Sequence, residues 1–323
     1  VSAFSYGTAT YPANVEPGSA RLILNQDGAV HLMTGSTEIG QGADTAFAQM
    51  ASETLGVSFE NIRVISTQDT DVTPWDTGAY ASRQTYTCAP AMHTAADDLR
   101  RKILAYAGEM TGQFPAALTI GPTPQGDAVV FVRSPETVLV TLRDLAMDTF
   151  YNKDRGGQLT AESSFKSRQN PPSFGGCFTE VEVDIQLCKV RIVDIMNVHD
   201  AGVIINPALA TAQVHGGMGM GIGWALYEEL IIDPETGRVY NNNLLDYKFP
   251  TFCDVPDLEC AFVRTEEPSG AYGNKSLGEP PIISPAPALR NAVLDATGVA
   301  VNAIPMTPKR LFVEFVKAGL IEG

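Results

Sequence analysis

The run Gln213-Val214-His215-Gly216-Gly217-Met218-Gly219-Met220-Gly221-Ile222-Gly223-Trp224 constrains this chain more than any other stretch. It follows Asn206-Pro207, a capping side chain with proline at the first helical position, so it reads as a helix. Yet the glycines at 217, 219, 221 and 223 each cost such a helix roughly 1 kcal/mol against alanine. Something must approach that backbone closely. Either another helix packs there or a large planar cofactor lies against it, and glycine alone does not choose.

With 323 residues, 44% hydrophobic and 18% charged, the chain has the material for a large core and about two domains. A formal net charge of -15 argues against nucleic acid and anionic membrane as partners. Cys88, Cys177, Cys188, Cys253 and Cys260 contain no C-x-x-C pair and are odd in number. That argues against a disulfide framework, a zinc site or an iron–sulfur cluster in this chain and favours a reducing compartment. The longest weakly polar run, 216–227, is too short to cross a bilayer, and no signal segment is read at the first residues. A soluble cytoplasmic protein is the expectation.

The first residues, with Tyr6, Tyr11 and Pro12, read as loop. Strands are expected over 20–24 and 29–33, joined by Gln26-Asp27-Gly28. Gly35-Ser36-Thr37-Glu38-Ile39-Gly40-Gln41-Gly42 then leads into a helix over 43–55, an arrangement that presents backbone N–H groups to an anion. A strand over 61–66 precedes a second candidate anion cradle, Asp76-Thr77-Gly78-Ala79-Tyr80-Ala81-Ser82-Arg83-Gln84-Thr85, at the start of a helix over 86–109. Its alternative is a polar helix cap with Arg83 in solvent. Short β-rich pieces follow at 128–133 and 138–142, with a boundary near Asn170-Pro171-Pro172. Strands over 178–185 and 190–198 form a hairpin, and the adjacent His199-Asp200 reads as a structural hydrogen-bonding pair. A turn at 233–237, an extended piece at 247–250, and helices over 285–297 and from Thr307-Pro308 complete the chain.

One carboxylate stands out, in Gly273-Asn274-Lys275-Ser276-Leu277-Gly278-Glu279-Pro280-Pro281. Two prolines stiffen the backbone after Glu279 and bias it toward an extended conformation, while Gly278 removes bulk before it. That suits a general base that must reach a substrate proton. Taken alone, the segment reads first as a turn with its acid in water.

Four segments share one order: Ile39-Gly40-Gln41-Gly42, Ala81-Ser82-Arg83-Gln84-Thr85, Gln213 with its glycine-rich helix, and Lys275-Ser276-Leu277-Gly278-Glu279-Pro280-Pro281. In that order and spacing the chain resembles the molybdenum-cofactor domain of the xanthine dehydrogenase and aldehyde oxidase family over nearly its whole length. The resemblance implies an α+β fold of mixed sheets with packed helices, with a first molybdopterin-binding subdomain over 1–170 and a second over 171–323. It implies a molybdenum ion held by the pterin dithiolene, with no protein ligand. Gln41 would sit over the metal's apical ligand, with Ile39, Gly40 and Gly42 as backbone neighbours. Ala81, Ser82, Arg83, Gln84 and Thr85 would embrace the pterin and its phosphate, Gln213 would bond the pterin, and Leu277 and Gly278 would border the cofactor. Glu279 would be the general base of a hydroxylation using water-derived oxygen.

Met220 stands where many members have a second glutamine, and Leu277 replaces a common valine. Only the C-terminal half of a whole molybdenum subunit is represented, so this chain is not expected to hold the cofactor alone. Such a split is similar to the medium molybdopterin subunit of bacterial nicotinate dehydrogenases. That implies conversion of nicotinate to 6-hydroxynicotinate, molybdopterin cytosine dinucleotide with a selenide on molybdenum, and NADP as acceptor. The implied partners are a large molybdopterin subunit, an FAD subunit and an iron–sulfur subunit with 2Fe–2S clusters. Tyr11 and Tyr80, beside site segments, are candidates to face the substrate. Two alternatives stay open: a purine or xanthine hydroxylase subunit, and a non-catalytic assembly subunit whose glycines are interface packing.

Overall fold

The computed structural model describes residues 1–10, 16–65 and 69–322. They divide into two compact units that interleave in sequence: Val1–Gly7, Pro172–Thr265 and Ser276–Gly323 in the first, Thr8–Pro171 and Glu266–Lys275 in the second. Two short segments therefore depart from a division at residue 170. The first residues are not a loop but strand β1 (Ser2–Gly7), antiparallel to residues 172–177, so its partner lies far along the chain. Residues 266–275 return to the second unit because Tyr272 donates to Met50 O at 2.9 Å and Ser269 pairs with the Tyr86 hydroxyl at 2.7 Å.

In the second unit, β2 (Pro17–Leu24) and β3 (Val30–Thr34) make the expected hairpin, with Leu22 opposite Leu32 and Gly28 turning at φ 85°. Helix α1 (Ala43–Leu55) buries Phe47, Met50, Ala51 and Leu55 and returns the chain so that β4 (Ile62–Ile65) lies parallel to β3. Residue 66, the end of the expected strand, lies outside the described residues. Helix α2 (Gln84–Thr111) buries a long apolar stripe including Met92, Leu99 and Ile103. A three-stranded meander of β5 (Leu118–Thr123), β6 (Gly126–Phe131) and β7 (Ser134–Thr141) precedes α3 (Leu142–Tyr151), capped by Thr141. Strand β8 (Thr160–Lys166) completes a sheet of order β4-β3-β2-β8.

In the first unit, β9 (Pro172–Asp184) and β10 (Lys189–Asp200) form a long antiparallel pair. Helix α4 (Pro207–Leu226) follows, its start capped by Asn206, whose side chain accepts from Leu209 N at 3.0 Å. Strand β11 (Glu259–Phe262) lies parallel to β10, giving the order β1-β9-β10-β11. Helices α5 (Pro280–Ile283), α6 (Pro285–Thr297) and α7 (Pro308–Lys317) close the unit. Ile195, Val214, Met218, Ile222, Leu289, Val293 and Phe315 are fully buried in one core, each large side chain contributing about 1.5–3 kcal/mol by leaving water. Residues 247–250, expected to be extended, form no strand. Tyr247 N donates to Asn243 O and its hydroxyl to Glu228, which closes a turn.

Candidate active site

In the second unit, Gln41 sits in the turn between β3 and α1. Its Nε2 donates to Thr37 O at 2.8 Å and to Gln84 Oε1 at 2.7 Å, while its Oε1 accepts from Ile39 N at 2.7 Å. Gln84, itself buried, also donates to Thr37 O. The Gly-Gln-Gly and Ala-Ser-Arg-Gln-Thr segments, distant in sequence, thus meet at a pair of amides. Gly40 turns at φ 102° with open space where a Cβ would be, and the Ile39 side chain is exposed.

The helix N-terminus expected to greet an anion is already filled by the chain itself. Glu38 accepts from Gly40 N at 2.7 Å, Gly42 N at 3.1 Å and Asp44 N at 3.1 Å. Burial by itself would raise this carboxyl, but those backbone donors outweigh it and hold it below the usual range. Sequence reasoning missed Glu38. Its signal was an acid five residues before a helix that carries no Ser, Thr, Asn or Asp at its cap.

Arg83 is likewise turned inward and is fully buried. Its Nη1 donates to Asp76 Oδ1 at 2.7 Å and Gly78 O at 2.8 Å, its Nη2 donates to Pro17 O at 2.6 Å, and Glu16 lies 3.6 Å from its Nε. Neither sequence reading, an anion clamp or a solvated cap, describes that guanidinium. Burial would lower its pKa, but the hydrogen bond and charge of Asp76 raise it. The neighbouring Cys88 thiol, enclosed and facing Asp76, is pushed up to about 12, which removes it as a nucleophile. Ala81 and Ser82 both adopt left-handed backbone, at φ 49° and 48°, and Ala81 O accepts from Ala9 N. Thr85 is half-buried in the first turn of α2, and Tyr80 is 40% exposed beside the Arg83 guanidinium. Tyr11 lies outside the described residues. Asn274 is 3% exposed, and neither its Oδ1 nor its Nδ2 has a hydrogen-bond partner among the described residues.

In the first unit, Glu279 is exposed and its backbone is helical, at φ -90° and ψ -31°, not extended as the prolines suggested. Pro280 and Pro281 occupy the first positions of α5, where their missing N–H groups would have been unpaired anyway, and packing on α4 sets the turn. A Cβ on Gly217 would lie 2.5 Å from Pro281 Cβ, and one on Gly221 would lie 2.8 Å from Pro285 Cβ. Another helical segment is therefore what those two glycines admit, whereas at Gly216 and Gly219 the space is open. Further bonds fix the post: Asn197 Nδ2 donates to Pro281 O at 3.1 Å, and Ser173 Oγ donates to Ser276 O at 2.8 Å. The Tyr6 hydroxyl donates to Glu279 Oε2, a contact that sequence reasoning missed. Reading Ser2, Phe4 and Tyr6 as strand alternation would have found it. Leu277 packs against the core, Gly278 is exposed, and Gln213 is half-buried on α4 with no hydrogen-bond partner among the described residues.

His199 and Asp200 do not pair. Asp200 accepts from Gly202 N and Thr265, while the His199 ring is buried 5.4 Å from Phe4 and its Nε2 has no hydrogen-bond partner among the described residues. Packing holds this imidazole, while Asp200 carries the structural hydrogen bonding that was expected of the two residues together. Among the described residues, no group of three or more His, Cys, Asp or Glu could hold a metal ion, and no helix is long and apolar enough to cross a membrane.

Comparison with known proteins gives this geometry a family. The putative xanthine dehydrogenase molybdenum-binding subunit of Escherichia coli K12 is 59% identical over 321 residues, which is 99% of this chain and 42% of that protein. Among solved structures, the reconstituted CO dehydrogenase of Oligotropha carboxidovorans matches with TM-score 0.85 at 26% identity, covering 98% of this chain and 40% of that one. The quinoline 2-oxidoreductase of Pseudomonas putida 86 matches with TM-score 0.83 at 27% identity, covering 97% and 41%. The chain spans less than half the length of each of these relatives. Residues 1–256 match the molybdopterin cofactor-binding domain family. With its mixed sheets, packed helices and ordered motif segments, the chain belongs to the molybdopterin-binding domains of the xanthine dehydrogenase and aldehyde oxidase family.

Proposed function

We propose that this chain supplies the general base, Glu279, of a molybdenum hydroxylase that acts on an electron-poor nitrogen heterocycle. The observation that carries the reading is an exposed carboxylate on a segment fixed by Gly217, Asn197, Ser173 and Tyr6. Hydroxylation by water releases two electrons and two protons, and a base held at hydrogen-bond distance takes one of those protons. When bound, the molybdenum cofactor supplies the redox centre that accepts the electrons.

The residues present fit such a cofactor. In the second unit Gln41 and Gln84 are amides bonded to one another, and Asn274 is a buried amide; in the first unit, taken by itself, Gln213 is a half-buried amide, and an amide offers donor and acceptor together to a heterocycle edge. The Asn274 side chain has no hydrogen-bond partner among the described residues, so a polar ligand would satisfy it. Ala81 to Thr85 would contribute backbone and hydroxyl groups, and Gly40 and Gly42 the close approach. FAD and iron–sulfur partner subunits would take the electrons onward. Leu244, Leu245 and Phe252, at 81%, 79% and 98% exposure, support a reading in which further protein covers this loop.

A purine of the xanthine type is the first substrate to test, because of the 59% identity to a putative xanthine dehydrogenase subunit. Nicotinate is the second, supported by the likeness to a quinoline oxidoreductase, whose named substrate contains a pyridine ring. That second reading brings molybdopterin cytosine dinucleotide, selenium and NADP with it. The test is turnover of xanthine, hypoxanthine and nicotinate by the enzyme containing this chain, wild type against Glu279→Gln, at equal molybdenum content. Loss of roughly 100-fold in the variant is expected of a missing base. Full activity in the variant would refute the assignment. Turnover of nicotinate alone, with selenium and a cytosine nucleotide released on denaturation, would replace purine with the second reading.

A further inference from the structure

We infer that Tyr6 is a positioning residue for the base: its hydroxyl holds the Glu279 carboxylate in the orientation from which it takes a proton. The inference rests on the reading of Glu279 as base. The residue pair is set by two arms that share an anchor. On one arm, β1 alternates so that Ser2 and Tyr6 lie on one face, and both reach the same segment: Ser2 Oγ donates to Ser284 O at 2.6 Å, and Tyr6 donates to Glu279 Oε2. On the other arm, Ser173 of β9, directly opposite Tyr6 in the strand register, donates to Ser276 O at 2.8 Å, three residues before Glu279. The strand that carries the hydroxyl and the post that carries the carboxylate are therefore tied to one residue, Ser173.

The chemistry needs such a partner. A glutamate side chain rotates about several bonds, and an exposed one samples many orientations unless a neighbour holds it. The hydrogen bond that Glu279 O accepts from Ile282 N fixes the backbone, whereas the orientation of the carboxylate depends on groups that meet the side chain, Tyr6 among them. A tyrosine answers this economically, because its ring has few rotamers and its strand position is set by backbone pairing. A hydrogen bond to an ionised acceptor is also among the stronger ones available.

The test uses the assembled enzyme in four forms: wild type, Tyr6→Phe, Glu279→Gln and the double variant, with kcat and KM measured at equal molybdenum content and crystal structures of the first two. Tyr6→Phe should lower kcat about 10-fold with KM unchanged, the scale of one charge-assisted hydrogen bond. The double variant should be no slower than Glu279→Gln alone, because the role inferred for Tyr6 in turnover runs through that carboxylate. In the crystal structure of Tyr6→Phe, the carboxylate should leave its wild-type orientation. Wild-type kcat in Tyr6→Phe, losses that multiply in the double variant, or an unmoved carboxylate would each overturn the inference. Normal turnover of Glu279→Gln would instead remove the base assignment and this inference with it.

Discussion

Replacing Gly217 by alanine tests the mount of Glu279 without touching the carboxylate. The added methyl would lie 2.5 Å from Pro281 Cβ, 3.0 Å from Pro281 C and 3.1 Å from Ile282 N. Two of those atoms are backbone and the third belongs to a proline ring, so no side-chain rotation relieves the contact. Restoring a separation of about 3.5 Å requires α5 to move by about 1 Å. Glu279 caps that helix and moves with it. Misplacing a reacting group by about that distance costs on the order of 100-fold in rate. Overpacking destabilises by about 1–3 kcal/mol, against about 1 kcal/mol gained from helix propensity, so the variant folds with a net loss of at most about 2 kcal/mol. The assay is kcat at equal molybdenum content, with Gly219→Ala alongside. A Cβ at Gly219 meets nothing within 4 Å, so that variant should keep wild-type turnover and gain thermal stability. Wild-type kcat in Gly217→Ala, or equal damage from Gly219→Ala, would refute the argument that packing at this one glycine holds the proposed base.

Two further outcomes follow from buried charge. Arg83→Met leaves the side chains of Asp76 and Glu16, 1% and 6% exposed, enclosed without their cation, and should lower unfolding stability by about 3–5 kcal/mol, measured by denaturant titration. His199 is held by burial at a pKa of about 4, against 6.5 for the free side chain. The folded chain binds fewer protons than the unfolded chain in that window, so stability rises with pH through it. The contribution, about 3 kcal/mol, is complete above roughly pH 6.5 and is lost as pH falls through about 4. His199→Leu should flatten the acid limb of a stability–pH curve, and an unchanged limb would show that the imidazole does not set it.

The parts of the fold that were legible in sequence are those decided locally. Helices α1 and α6 keep the expected bounds because apolar periodicity and a glycine at each C-terminal cap, Gly56 and Gly298, define them within a few residues. The β2–β3 hairpin follows from Gly28 in the same way. Strand β1 was not legible, since its pairing partner lies at 172–177 and nothing near Tyr6 announces it. Nor was the helical backbone of Glu279, where contacts to α4 override the local preference of a residue before proline. Sequence order identified Gln41 and Gln84 as site candidates, but not that each is the other's hydrogen-bond partner. That pairing depends on a strand, a turn and a helix start converging in space.

Glu38 and Arg83 change what the two motif segments of the second unit can recognise. Both carry full charges, and both are spent inside the chain: Glu38 on the N-terminus of α1, Arg83 on Asp76 and the carbonyls of Gly78 and Pro17. The positive end of the α1 dipole is thereby answered by a carboxylate two to six residues away in sequence, and a second anion would meet repulsion there. The groups nearest solvent are neutral: the half-buried Gln41 amide, already bonded to Thr37, Ile39 and the buried Gln84, and backbone near Gly40, Ala81 and Ser82. Amides present a donor and an acceptor in one plane, matched to the edge of a heterocycle with alternating N–H and C=O groups, and are indifferent to net charge. A chain whose net charge is -15 would in any case draw in an anionic cofactor poorly from a distance. Under the proposed function a pterin would therefore meet neutral groups on this unit, because the two local charges are spent inside the chain on Gly40, Gly42, Asp44, Asp76 and Gly78.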